Sequence, residues 1–317
     1  MKKMEEIKKF GIFKEYHERD NFVYLSIDSG DFGISSDLFQ KLFNFFFSED
    51  VLFEHYKINN DCLYEKSTAN ISLLYRNLKK FIDEEAFEVE YNYDDCDEDV
   101  VEIVKDEIAF FEEFSIRRDK IGKIGEYLMA IILEKIFEYV CIIPKSNLTT
   151  SYNMSVYGID NLHYIPNENV ILFGESKFTS SLSKGITLVS KSLEKYEHQI
   201  KQEIELIFTQ DKINQLRLPM SLYKDAIENF IDIETFIKKS DIHQLIVPLF
   251  IAHGVETSPQ KIIEQLKKIN RHQFLGMETK YIVISMPVIN AVDFIKATSL
   301  HLSMLIREYE ERIKGSI

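Results

Sequence analysis

IDNLHYIPNENVILFGESKF (residues 159–178) is the stretch on which the reading of this chain turns. Two β-rich runs flank PNEN, a cluster of turn formers, which is the pattern of a β-hairpin. The second run, ILFGESKF (171–178), starts apolar and ends with Glu175 and Lys177 two residues apart. A turn centred between Asn167 and Glu168 pairs positions whose numbers add to 335, which sets Asp160 opposite Glu175. Opposed residues on antiparallel strands share a face, with Cβ atoms about 5 Å apart. Alternation then puts Lys177 on the same face and turns Ser176 away. A slip of one residue would move Asp160 to the other face, so the grouping depends on that turn.

Two opposed carboxylates destabilise a hairpin unless something compensates. A divalent cation does so: a hard ion such as Mg²⁺ takes carboxylate oxygens, a backbone carbonyl and waters, and bridges to phosphate. Such an ion lowers the pKa of a bound water, and a nearby ammonium stabilises charge building on a phosphoryl group. Asp160, Glu175 and Lys177 therefore form a candidate site for phosphodiester hydrolysis. Glu-x-Lys alone is weak, since it recurs at Glu6/Lys8 and Glu278/Lys280. The first of these is read in a charged N-terminal helix and the second precedes its strand. Only Glu175 and Lys177 close an apolar strand.

Working outward, RRDKIGKIGEYLMAIILEKIFEYV (117–140) carries apolar residues at helical spacing and is the strongest helix signal. Glu126 lies in its first turns, either aimed at the cluster as a metal ligand or water positioner, or facing solvent where the helix dipole favours a carboxylate. CIIP (141–144) reads as a short strand. Residues 180–208 read as one long helix, 220–239 as a helical pair, and 243–252 and 280–288 as buried strands separated by a helix at 258–269. A last helix covers 289–313. Upstream, 22–28 reads as a strand and 35–47 and 69–85 as helices. These elements give an α/β architecture with a mixed central sheet flanked by helices. The expected organisation is an N-terminal accessory α+β region over 1–82, an acidic connector over 83–113, and the main domain over 114–317.

The chain has 317 residues and a formal net charge of −14. Residues 83–113 hold fifteen acids against one base, Lys105, and alone account for that charge. The overall balance thus describes one segment, not the surface around a site, and does not exclude nucleic acid. The segment reads as a solvated connector or helix face, or as a surface that mimics DNA or docks a partner. The first ten residues lack the apolar core of a signal peptide, no run is long enough to span a membrane, and three scattered cysteines make no metal or redox spacing. A reduced, cytoplasmic protein is expected. The eight histidines form no ligand spacing, GKIG (122–125) lacks the features of a phosphate loop, and no Ser-His-Asp or Cys-His set is present. Lys184, Lys191 and Lys195 follow the hairpin and could meet phosphates or line a solvated helix face.

Taken in order, Glu126 on a helix, Asp160 opening one strand and Glu175-Ser176-Lys177 closing the next resemble the PD-(D/E)XK nuclease superfamily. The resemblance implies an α-β-β-β-α-β core, with Mg²⁺ or Mn²⁺ on Asp160, Glu175 and the Ser176 carbonyl, and Lys177 in catalysis. Glu126 occupies a position that varies in that superfamily, and Ile159 stands where a Pro is usual. RRDKIGKIGEYLMAIILEKI, YGIDNLHYI and LFGESKF are, more narrowly, similar to the HamA family of the Hachiman anti-phage system. That resemblance implies a DNA-cleaving effector held by a superfamily 2 helicase, HamB. A restriction-type or repair nuclease, or a non-catalytic subunit that keeps the fold to bind DNA or a partner, are the alternatives.

Overall fold

Eight strands make one sheet in the order β1-β2-β3-β8-β7-β6-β5-β4. They are β1 (Glu6–Phe10), β2 (Phe13–Glu18), β3 (Phe22–Ile27), β4 (Val140–Ile143), β5 (Asn161–Ile165), β6 (Val170–Thr179), β7 (Gln244–His253) and β8 (Glu278–Pro287). The computed structural model describes residues 6–10, 13–18, 22–27, 35–59, 65–83, 97–112, 118–143, 161–165, 170–209, 235, 237, 242–254, 258–288 and 291–315. β3, β8, β7 and β6 run parallel to their neighbours, while β1-β2-β3 and β4-β5-β6 are antiparallel. The sheet is therefore mixed, as the sequence suggested. The central strands are apolar nearly end to end because helices cover both faces, as buried parallel strands require.

Side chains of β6 alternate between two cores. Val170, Leu172 and Phe178 join the larger one, built from α1 (Asp37–Phe47), α2 (Glu49–Asn59), α3 (Thr68–Asp83), α5 (Arg118–Ile136) and α9 (Ala291–Gly315). Ile171 and Phe173 join the other, with α6 (Leu182–Glu194), α7 (Tyr196–Thr209) and α8 (Pro259–Leu266). Local rules explain the helices. α1 starts where the Ser36 hydroxyl accepts from Phe39 N at 3.0 Å, and it buries Phe39, Leu42, Phe43, Phe46 and Phe47 along one face. The segments read as an accessory region share this framework: β3 pairs with β8, and α1 to α3 pack in the same core as α5.

Three expectations change, and the acidic stretch takes one of its expected forms. The charged N-terminal run is not a helix but the edge strand β1, joined to β2 with Phe10 paired to Phe13. The intervening residues begin with Gly11, a hairpin signal that the charge pattern masked. α5 stops at Ile136 rather than continuing to 140, and Glu138 turns the chain at φ 57° before β4. Residues 180–208 form two helices, broken at Lys195, instead of one. Within the acidic stretch, α4 (Glu98–Glu112) is an ordered helix packed on α6 through Val100, Val104 and Leu188. The helical pair expected at 220–239 lies outside the described residues apart from 235 and 237.

Tyr196, the first residue beyond the break at Lys195, meets a gap left by β7. Pro248 sits inside that central strand, where a proline removes a ladder donor. The β7–β8 ladder is continuous past Pro248, but the β6–β7 ladder skips Phe173 and Gly174 opposite Val247 and Pro248 without changing register. The missing N–H is thus the one aimed at the Phe173 carbonyl. The Tyr196 hydroxyl takes its place, donating to Phe173 O at 2.7 Å from a fully buried ring.

Candidate active site on strand β6

The expected hairpin register is present: Asn161↔Gly174, Leu162↔Phe173, His163↔Leu172, Tyr164↔Ile171 and Ile165↔Val170 all follow the same sum rule. Asp160 itself lies outside the described residues. Described pairing with β5 ends at Gly174, so the half of β6 from Glu175 to Thr179 carries its described ladder on the β7 side. It points the same way as the carboxyl ends of β7 and β8, the end of an open α/β sheet where ligands bind.

Glu175 and Lys177 lie on one face of that half-strand and form an ion pair, Lys177 Nζ donating to Glu175 Oε1. The Glu175 side chain is 7% exposed and that of Lys177 23%. A carboxylate this buried costs several kcal/mol to desolvate unless paired. Lys177 supplies the partner from the more open side. The pair faces the layer of α6, which approaches closely because Gly185 lacks a side chain: a Cβ there would stand 2.7 Å from Ile251 Cγ2 and 3.0 Å from Thr179 Oγ1.

Ser176 is buried and faces the other way, against α5, where a Cβ on Gly125 would lie 3.3 Å from Ser176 Oγ. Glu126 follows that contact point and is half-buried. The helix carrying Glu126 therefore packs on the Ser176 face, while Glu175 and Lys177 occupy the other. The donors at this place, the Glu175 carboxylate and the Ser176 carbonyl, are hard oxygens of the kind Mg²⁺ takes. Among the described residues, no group of three or more His, Cys, Asp or Glu is arranged to hold a metal ion.

One residue beside the site was missed from sequence. Glu107 of α4 is buried and accepts from Ser180 N at 2.7 Å and from the Ser180 hydroxyl, at the exit of β6. Lys184 Nζ lies 3.1 Å from its Oε1. A signal existed: Glu107 falls on the stripe of Val100, Ile103, Val104 and Ile108, where a helix buries its face. Lys184 and Lys191, read as phosphate contacts or solvated lysines, pair with α4, Lys184 with Asp106 at 3.5 Å and Lys191 with Asp97 at 2.5 Å, and Lys191 also lies 3.2 Å from Glu194 of its own helix. Lys191 holds the Asp97 carboxyl below its usual range.

The fold and site define a class: an α/β protein whose mixed sheet holds a buried carboxylate–ammonium pair where antiparallel strands give way to parallel ones. The chain belongs to the HamA family, whose model matches residues 40–300. That family is associated with anti-phage defence. A search of curated proteins found no match. Among the described residues, no helix is long and apolar enough to cross a membrane.

Proposed function

We propose that this chain is the metal-dependent deoxyribonuclease effector of a Hachiman defence system, with a PD-(D/E)XK core and a superfamily 2 helicase, HamB, as its restraining partner. The observation that carries the reading is the buried Glu175–Lys177 pair on β6, set in the order α5-β4-β5-β6-α6-α7-β7, with two helices where the superfamily core has one. That order otherwise matches the superfamily core implied by the sequence motifs. The Asp160 and Glu175 carboxylates and the Ser176 carbonyl would hold Mg²⁺, or Mn²⁺ in its place. Once bound, the ion acidifies a water and screens the phosphoryl charge.

The chain's own residues do the remaining work. Burial of Glu175 places the pair in a medium of low effective dielectric, where each charge acts more strongly than in water. The Lys177 ammonium, fixed by its strand and its partner, is held where it can donate to an oxygen gaining charge. Glu126 is half-buried on the α5 layer, across the sheet from the pair, and its role as a water positioner rests on the sequence motifs alone. Glu175→Gln keeps the shape of the side chain and removes its charge, and Lys177→Met keeps the stem and removes the ammonium. Both are expected to fold, by circular dichroism, and to lose at least a hundredfold in Mg²⁺-dependent cleavage of linear and supercoiled DNA. Wild-type rates in either folded variant would overturn the reading. Copurification with the protein encoded beside it tests the helicase.

A further inference from the structure

α4 lies in a position that its charge alone does not explain. It touches both α5 and α6, which cover opposite faces of the sheet. It therefore crosses the rim of the sheet beside the exit of β6, three residues beyond Lys177. It runs antiparallel to α6, since Asp97 at its start meets Lys191 and Asp106 and Glu107 near its end meet Lys184. Among the described residues the apolar part of this contact is a small cluster, Val100, Val104 and Leu188, with the partly buried Ile103 and Ile108 packed against it. Apart from the buried Glu107, the attachment is carboxylate against ammonium in exposed positions, with Asp97 and Asp106 more than half exposed.

Lys184 and Lys191 are seven residues apart on one helix, hence two turns and about 10 Å along a single face. That distance spans about three base-pair rises of a nucleic-acid strand. Extended from the Glu175–Lys177 site by way of Ser180, this ridge is placed to follow the backbone of a strand entering the site. We propose that the Lys184–Lys191 ridge of α6 is a phosphate-backbone surface for duplex DNA, and that α4 covers it by setting carboxylates where phosphates bind. The inference rests on the DNA-cleaving reading above. α4 is then a built-in competitor: DNA displaces Asp97 from Lys191 and Asp106 from Lys184, while Glu107 keeps its hydrogen bonds to Ser180.

The test is binding without cleavage. The full-length chain is titrated into a labelled duplex in EDTA, followed by fluorescence anisotropy from 50 to 200 mM salt. Asp97→Asn/Asp106→Asn is compared in two backgrounds, wild type and Lys184→Gln/Lys191→Gln. The expected result is at least fivefold tighter binding in the wild-type background. The slope of log K against log salt should also steepen, by at most about 1.8, the value for two added phosphate contacts, because Lys184 keeps Glu107 and Lys191 keeps Glu194 beside it. Neither change is expected in the glutamine background. Equal tightening in both backgrounds would mark a general charge effect and overturn the proposal, as would no tightening or no binding at all. The readout does not involve Glu175 or Lys177. A chain that binds as expected but never cleaves sinks the nuclease reading alone, and one that cleaves but ignores the asparagine pair sinks this one alone.

Discussion

Tyr196→Phe removes one oxygen from the core. The ring is fully buried and sits 5.5 Å from that of Phe274, so phenylalanine keeps the packing and the loss is confined to the hydroxyl. An ordinary neutral hydrogen bond contributes about 1 kcal/mol. Here the Phe173 carbonyl also loses the donor that replaces the absent N–H of Pro248. The cost is then that of a buried acceptor without a partner, about 1–3 kcal/mol. It should appear in urea titration at 25 °C as a lower midpoint with an unchanged m-value. Pro248→Ala decides the cause, because alanine restores an N–H at the position the ladder aims at Phe173. In the Tyr196→Phe background it should recover about 1 kcal/mol or more of the loss, while in the wild type the hydroxyl already fills the place and the gain is absent. Strict additivity in this double-mutant cycle would refute the idea that the hydroxyl stands in for the missing N–H.

Two further outcomes are expected. Gly185→Ala gains helix propensity of about 1 kcal/mol but forces a methyl against Ile251 and Thr179, an overpacking cost of about 1–3 kcal/mol. Gly122→Ala in α5 meets open space and should stabilise by about 1 kcal/mol, so denaturation midpoints that move together in the two variants would contradict the packing described. His301 stacks on Phe43 at 4.0 Å, its buried Nδ1 has no hydrogen-bond partner, and burial lowers its pKa below the usual 6.5. Between the folded and unfolded values the unfolded chain binds more protons, so this stability is full above about pH 6.5 and is lost as pH falls toward the folded value. His301→Phe should flatten the decline in urea midpoint between pH 7.5 and 5.5, and an unchanged profile would count against a buried neutral imidazole.

Much of this architecture could be read from the sequence because the signals were local. The alternation and turn formers of 159–178 fixed a register that the described pairs of β5 and β6 reproduce, and the Ser-Asp start of α1 set its cap. What escaped depends on contacts between distant segments. Nothing near Glu107 in sequence shows that it meets Ser180, and only its place on an apolar stripe hints at burial. The one-helix reading of 180–208 missed the break at Lys195, and no helical periodicity records that Tyr196 just beyond it donates to a carbonyl left open by a proline some fifty residues later. In the candidate site, Glu175 and Lys177 were legible as strand neighbours, but the face presented by α5 was not. It took the close approach of Gly125 to Ser176 to set Glu126 on the other layer. Asp160 falls outside the described residues, so its sequence-derived place opposite Glu175 stays a proposal.

The parallel pairing of β3 with β8 bears on how the chain is made. Phe22 pairs with Tyr281, and Ser26 with Ser285, so β3 finds its parallel neighbour only when β8 has left the ribosome. Until then β3 and β7 both lack the strand that lies between them. Such distant parallel pairing is slow, since loop closure must precede the contacts that reward it. Complete sheet assembly is thereby coupled to synthesis of nearly the whole chain. A ribosome that stalls before residue 278 releases a product whose N-terminal strands and β7 share no common partner, one destined for proteolysis or aggregation and not for a finished sheet.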